Sequence, residues 1–410
     1  MKEDLKINDR EVAFDIIYRV IYDDGYSNLL LKNNQLDSRP FVTDLVYGVI
    51  ERKLTLEEML KILSNKDIKK IDEKAIILIY MGLYQLFYSN TKDYAAIYEV
   101  VELAKKMLNK GAAGFVNGIL RSAQRMGDDL LNKVYDRGWE YEYSINSELL
   151  SMIKENKADT LEILKATFIP PKVHIYVRKN MAKIKARLES NEIKFKEIKD
   201  FLIIQNYRHK VLASFFRNGD YTIMDYSTSA VRELAPDEDI HTIFDMCAAP
   251  GGKTLLLADK FPKANIKASD INKNRVTLLE DNIRRWGLTN VTCGVHDARN
   301  FDGNEYGLVL CDVLCSGSGV ISRKPELKYK INYKMIEELN TKQIEILKNA
   351  VNQTKKDKYI IYSTCSILKR ENRDIVDKVA GENNLSIIKD TTVFPSKDSE
   401  GFYACLLKKI

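Results

Sequence analysis

The ten residues Asp245-Met246-Cys247-Ala248-Ala249-Pro250-Gly251-Gly252-Lys253-Thr254 constrain this chain more than any others. They follow the apolar run Thr242-Ile243-Phe244 and lead into Leu255-Leu256-Leu257-Ala258, so a strand turns through small residues into a helix. In that arrangement backbone N–H groups at a helix start can approach a nucleotide-like ligand. Gly251 and Gly252 lack the Cβ atoms that would obstruct the approach, and Pro250 stiffens the turn. A Walker phosphate loop needs a Gly, four residues, then Gly-Lys-Thr. Cys247 stands where that first Gly belongs, which argues against an ATPase.

From residue 240 onward strands and helices alternate as in a doubly wound α/β domain. Strands are predicted over 243–246, 265–269, 291–295, 308–311 and 359–362, with the clearest helices over 272–286 and 333–351. Ligands of such sheets bind beyond the carboxyl ends of the strands. Asp270 lies there, roughly twenty residues past the glycine turn, where a carboxylate can accept both hydroxyls of a ribose. Its plainer reading is an N-cap for the helix that follows. Asp297 ends the third strand, in reach of an adenine amine. The fourth strand runs into Asp312-Val313-Leu314-Cys315 and the fifth into Thr364-Cys365-Ser366, so two thiols and a carboxylate should meet at one sheet edge.

The rest of the chain adds domains. At 410 residues it exceeds a single core, and two or three domains are expected. The longest nearly apolar run, 75–88, is too short to span a bilayer and contains Gly82 and Gln85. With charges of both signs at the N-terminus and no apolar leader, a cytoplasmic protein without membrane contact is expected. Six cysteines, none in a Cys-x-x-Cys pair or a Cys/His metal spacing, predict no disulfide framework and no metal site. A net charge of +6 permits a polyanionic partner. Basic residues cluster at 178–187 and again at Arg323, Lys324, Lys328, Lys330 and Lys334; such clusters are either solvated faces or phosphate contacts.

Residues 7–126 read as helical throughout, with Gly111-Ala112-Ala113-Gly114 as a small-residue joint before a helix. A polar, aromatic stretch over 127–143 reads as a connection. Ile169-Pro170-Pro171 stops a helix, and a strand over 173–178, a basic helix over 183–190 and a strand over 201–205 follow. The expected domains are therefore 1–127, all α; 128–235, a linker with a small α+β subdomain; and 236–410, the Rossmann-like α/β domain.

The octet Cys247 to Thr254 resembles the cofactor loop of the RNA 5-methylcytosine methyltransferases, and Phe115-Val116-Asn117-Gly118-Ile119-Leu120 with its upstream helices resembles the NusB-like RNA-binding domain. The pairing of the two is similar to the bacterial small-subunit ribosomal RNA cytosine-C5 methyltransferases. The resemblance implies S-adenosylmethionine as cofactor, held by Cys247, Ala248, Ala249, Pro250, Gly251, Gly252, Lys253, Asp270, Asp297 and Asp312. It implies Cys365 as the nucleophile and Cys315 as the residue that assists product release. Arg178 and Asn180 match the family's Arg-x-Asn, and Arg323 and Lys324 fall in its basic segment, so all four are expected at RNA. The string Gly401-Phe402-Tyr403-Ala404-Cys405 resembles the family's final strand.

The chemistry explains why two thiols are useful. C5 of cytosine is a poor nucleophile until a thiolate adds at C6, and a free thiol is only about a few per cent ionised at neutral pH. Lys253 is the candidate for activating it, and Asp312 for holding the N3/N4 edge. Two positions depart from the family pattern: Leu314 replaces the Pro of Asp-x-Pro-Cys, which predicts slower release, and Met224-Asp225 replaces Gln-Asp. The expected substrate is small-subunit ribosomal RNA and the expected form a monomer. The rival readings are methylation of transfer RNA and a catalytically weak RNA-binding assembly factor.

Overall fold

The computed structural model describes residues 8–33, 39–64, 66–156, 158–300 and 303–410. Among them no helix is long and apolar enough to cross a membrane. The chain divides into two units. One holds the residues up to Ser151 together with Arg323–Asn332, and the other holds Met152–Ser322 and Tyr333–Ile410.

The first unit is a helical bundle around Glu73–Phe87, in which every residue from Ala75 to Gln85 is buried. That run is apolar on all sides because neighbouring helices surround it. Asp72 caps it, accepting from the N–H groups of Lys74 and Ala75. Gly82 sits where Leu120 of the helix Lys110–Met126 crosses, and a Cβ there would overlap the leucine side chain. The small-residue string at 111–118 lies inside Lys110–Met126, so it is helix and not the expected joint. Past 127, where a boundary is expected, the chain stays helical. Asp128–Tyr135 is helical, and Leu130 and Val134 are fully buried in the bundle core. The apolar spacing of those two positions was masked in the sequence by the polar and charged residues on either side, Asp128 and Asp129 before and Asp136 and Arg137 after.

The segment Arg323–Asn332 completes this bundle. Glu326 is fully buried and accepts from the N–H of Ser27 (3.2 Å) and its hydroxyl (2.9 Å). Asn146 donates through its N–H to the Lys328 carbonyl (2.9 Å) and through its side chain to the Ile331 carbonyl (2.7 Å). Lys328 is fully buried too, donating to the Tyr143 carbonyl, and burial pushes its ammonium down to about 7 against the pull of Glu51. The basic cluster read as a solvated or phosphate-facing surface is thus corrected at this residue: its charge is inside the bundle.

In the second unit β1 (Val173–Val177), β2 (Phe195–Ile198), β3 (Phe201–Ile204) and β4 (Tyr221–Ile223) form an antiparallel sheet in the order β2-β3-β1-β4. Alternation along β1 sends Ile175 and Val177 toward Leu188 and Leu212 of the helices Met181–Glu189 and His209–Arg217. Tyr176, on the other face, packs with Leu255, Leu279 and Trp286. The sequence missed β2 and β4, which are short, lie on the sheet edges and carry little apolar patterning.

The large sheet holds β5 (Thr242–Asp245), β6 (Asn265–Asp270), β7 (Val291–Val295), β8 (Tyr306–Asp312), β9 (Thr354–Thr364), β10 (Leu385–Val393) and β11 (Phe402–Lys409), in the order β10-β11-β9-β8-β5-β6-β7. Strands β5 to β9 run parallel; β10 and β11 are antiparallel. The order reverses between β5 and β8, and a ligand crevice forms at such a switch point. All five predicted strands are present, most of them longer than expected. β10 was not predicted: it is an edge strand with a register shift between Ile387 and Lys389, and Ile388 faces outward.

Replacing Glu326 with Ala leaves the Ser27 N–H and hydroxyl buried without a partner, which should cost the bundle about 2–3 kcal/mol. Hydrogen exchange of the Glu73–Phe87 amides in the full chain measures this; unchanged protection would refute the role given to the segment.

Candidate functional site

The turn after β5 is shaped by its own backbone. The Ala249–Pro250 peptide is cis and Gly251 has φ 107°, a region that side chains disfavour. A Cβ on Gly251 would collide with Leu279, and one on Gly252 would press on the Met224 sulfur. Met224, the departure from Gln, therefore packs over the cofactor loop. The turn is also held from outside: Ala248 donates to the Ser269 carbonyl (2.7 Å), Arg275 donates to the Ala249 carbonyl (2.5 Å) and Asn282 to the Pro250 carbonyl (2.9 Å).

Three carboxylates, Asp245, Asp270 and Asp312, surround this turn, and a fourth, Asp297, follows the next strand. Asp245 is fully buried at the end of β5 and accepts from the Thr254 hydroxyl at 2.6 Å. Burial, with the Asp312 charge adding to it, pushes its carboxyl up to about 7. Asp270 ends β6 almost completely buried, paired with Arg275 at 2.9 Å and accepting from the Asn272 N–H. The helix cap proper is Asn272, so the capping reading of Asp270 moves to its neighbour. Asp297 follows β7, and Arg299 holds its carboxyl below the usual range. Asp312 ends β8.

Asp312 is the hub of the reacting end. One oxygen accepts from Lys253 Nζ at 2.7 Å and the other from the Ser363 hydroxyl at 2.8 Å. Burial opposes the charge of Lys253, but Asp312, with Cys365 behind it, outweighs burial and raises the ammonium above its ordinary value. Lys253, expected at a thiol, thus has Asp312 as its hydrogen-bond partner and acts on Cys365 only through its field.

The two thiols meet as expected. Cys315 Sγ and Cys365 Sγ are 3.1 Å apart, and each residue is half-buried. Their contact, followed by burial, drives the Cys315 thiol well up. The loops that carry them are stitched: Val313 donates to the Ser363 carbonyl (3.0 Å) and Gly319 to the Cys365 carbonyl (2.9 Å). Leu314 is exposed, and Gln343 donates to its carbonyl at 2.9 Å, which anchors a loop that proline would otherwise stiffen. Cys247 lies in the turn with its thiol pushed well up by burial and the surrounding carboxylates.

The residues expected at RNA are placed differently. Arg178 forms a two-pronged ion pair with Asp259 and donates to the Trp286 carbonyl at 2.8 Å, with 11% of its side chain exposed. Asn180 donates to Asp220 at 3.0 Å from a left-handed backbone position. Both side chains hold the small sheet in place: Arg178 ties it to Asp259 and Trp286, and Asn180 ties it to Asp220 at the start of β4. Arg323 and Lys324 are half-buried at the start of the segment that joins the bundle. Sequence reasoning missed Arg275, Ser363, Gln343 and Glu371, which touch the site through tertiary contacts; only Arg275, five residues past Asp270, carried a local signal.

Residues 231–407 match the family described as 16S rRNA methyltransferase RsmB/F, and residues 7–125 match the NusB family. The probable ribosomal RNA small subunit methyltransferase B of Bacillus subtilis is 34% identical over 397 residues, covering 90% of this chain and 88% of that protein. The chain belongs to the RsmB/F methyltransferase family. Ribosomal RNA small subunit methyltransferase B of Yersinia pseudotuberculosis is 28% identical, with 93% of each chain covered. In fold, this RsmB/F chain is similar to the crystal structure of PH0851, with a TM-score of 0.79 at 20% identity over 99% of this chain and 100% of that one. The structure of NSun6 from Pyrococcus horikoshii with SFG, an S-adenosylmethionine analogue, is similar over 64% of this chain and 98% of that one, with a TM-score of 0.56 at 19% identity.

The cofactor of this RsmB/F chain is S-adenosylmethionine. The turn fits it: the positive φ of Gly251 lets the chain pass straight from β5 into the start of the helix Gly252–Lys260 at the switch point, and Asp270 and Asp297 offer acceptors on the β6 and β7 side.

The buried Asp245 carries a pH signature. Its folded carboxyl titrates near 7, and the unfolded one near about 3.9. The proton it keeps on folding favours the folded state below that lower value, and this contribution is lost as pH rises through 7. Urea midpoints of wild type and Asp245→Asn should therefore diverge in favour of the variant between pH 4 and 7; a constant difference would overturn the assignment.

Proposed function

We propose that this chain methylates C5 of a cytosine in small-subunit ribosomal RNA through a covalent adduct between Cys365 and C6. The observation that carries the reading is the pair of thiols 3.1 Å apart beside the Lys253–Asp312 ion pair. The names of the two relatives described above support the RNA class.

The target base must leave any helical stack, because stacking shields C6. Asp312 keeps a lone pair on each oxygen beyond those used by Lys253 and Ser363, and these can accept from the N4 amine and a protonated N3. A uracil offers no amine there, so the same carboxylate discriminates. The Cys365 thiolate adds to C6, and the electron pair displaced from the C5–C6 bond collects at C5. The Lys253 ammonium favours the thiolate form, and the Cys315 thiol donates its hydrogen bond to it. S-adenosylmethionine supplies the electrophilic methyl group.

Release needs the C5 proton to go and the C6–S bond to break. The C5–H electron pair restores the C5–C6 double bond, the C6–S pair returns to Cys365, and the proton of Cys315 meets it there. The C5 proton goes to solvent and the Cys315 thiolate is reprotonated from solvent. The Gln343 hydrogen bond to the Leu314 carbonyl, together with the looser Leu314 backbone, sets how quickly Cys315 delivers that proton.

Incubation with labelled S-adenosylmethionine and RNA from a strain lacking the activity tests this. Cys365→Ala should abolish label in small-subunit RNA, and Cys315→Ala should accumulate a denaturation-resistant protein–RNA adduct. Label that survives in Cys365→Ala sinks the adduct, and label confined to transfer RNA sinks the substrate class. Leu314→Pro should raise multiple-turnover rates about two- to tenfold while leaving the single-turnover rate unchanged; equal effects on both would place the loop outside release.

A further inference from the structure

Beneath the two thiol loops lies a carboxylate with no part in the scheme above. Glu371 is fully buried. Its Oε1 accepts from the Ser316 N–H (2.8 Å) and from Gln343 Nε2 (3.1 Å), and its Oε2 from the hydroxyls of Ser316 (2.5 Å) and Ser366 (2.6 Å). Ser316 follows Cys315 and Ser366 follows Cys365, so one side chain ties together the residues next to both thiols. Among the described residues no cation pairs with it.

The hydroxyl protons in this network all run one way. The N–H groups of Ile367 and Leu368 donate to the oxygens of Ser318 and Ser366, which leaves Ser318 to donate to Ser366 (2.8 Å) and Ser366 to Glu371. Ser318 N–H donates to Ser316 Oγ, whose own proton goes to Glu371. The carboxylate is the acceptor on which both chains end.

The charges around the thiols are unequal. Glu371 makes two bonds to Ser316, just after Cys315, and shares Gln343 with the Leu314 carbonyl just before it, against one bond to Ser366 on the Cys365 loop, so its charge is seated in the Cys315 loop. Lys253, bonded to Asp312, lies toward Cys365. The other titratable groups near the pair are Asp312 and Tyr362, whose hydroxyl donates to the Glu371 backbone carbonyl.

From this geometry we infer that Glu371 is a positioning residue that keeps the proton of the thiol pair on Cys315, so that Cys365 is the sulfur that attacks. The inference rests on the adduct reading for its purpose, but it is a statement about the free enzyme and is read without RNA. A negative charge beside one thiol and a positive charge beside the other make a single microstate, Cys315–SH donating to Cys365–S⁻, the favoured one. Burying the carboxylate strengthens the bias, because its field is poorly screened there.

The test is the rate of iodoacetamide alkylation at each cysteine of the intact chain, read by peptide mass spectrometry from pH 6 to 9. In wild type Cys365 should react first and Cys315 lag. Glu371→Gln keeps the shape and removes the charge; its amide can donate to hydroxyls that are free to rotate. Cys315 alkylation should then rise about tenfold, the change that one pKa unit gives, and its pH profile should shift to lower pH. Glu371→Asp keeps the charge and should retain the wild-type order, which also covers the case that the Gln variant does not fold. The inference is overturned by a folded Gln variant with unchanged order and pH profile, or by a folded Asp variant that loses the order. Failure of the adduct reading looks different: methylation would survive Cys365→Ala whatever the alkylation order.

Discussion

The parallel pairing of β8 with β9 is the constraint on which the site depends. Its register places Asp312 opposite Ser363, so the loops that follow leave the sheet at the same level and in the same direction. Cys315 is three residues beyond one partner and Cys365 two beyond the other. A slip of one residue in that pairing would turn every side chain of one strand to the opposite face and separate the thiols. The interlocking serines and Glu371 then hold the loops where the sheet has delivered them.

Charge is arranged along the same edge. Asp245, Lys253 and Asp312 lie in sequence from the buried end of β5 to the open end of β8, and Lys253 is a cation that feels both carboxylates and Cys365. Its position follows from the helix Gly252–Lys260, whose first turn projects it over the switch point. The positive φ of Gly251, which turns the chain into that helix, thus also places the cation. A bulkier residue at 251 would move Lys253 by displacing the turn against Leu279.

The bundle depends on a segment that sequence order assigns to the catalytic domain. Arg323–Asn332 contributes Glu326 and Lys328 to the bundle interior, and both are hydrogen-bonded there. In sequence it reads as a basic surface, since Lys324, Lys328, Lys330 and Lys334 lie close together. Burial of an ammonium is tolerated only where a carbonyl or carboxylate waits for it, and those partners, Tyr143 and Glu51, come from far earlier in the chain. The same reasoning accounts for Arg178, a cation spent on Asp259.

The sequence by itself determined what local chemistry determines. The glycine turn, the α/β alternation, the strand-end acids Asp270, Asp297 and Asp312, and the two cysteines were legible because apolar period and turn residues act over a few positions. Edge strands with weak patterning, such as β2 and β10, were not. Tertiary structure alone decided which side chain meets which: that Lys253 bonds Asp312, that Glu371 lies under both thiols, that Arg178 pairs with Asp259, and that Arg323–Asn332 belongs to the bundle. Apart from the short reach of Glu371 to Ser366, these meetings pair residues 55 to 299 positions apart, and they follow from the strand order and packing of the folded chain. No local propensity encodes such distances, because the energy of a buried polar contact exists only once both partners have left water.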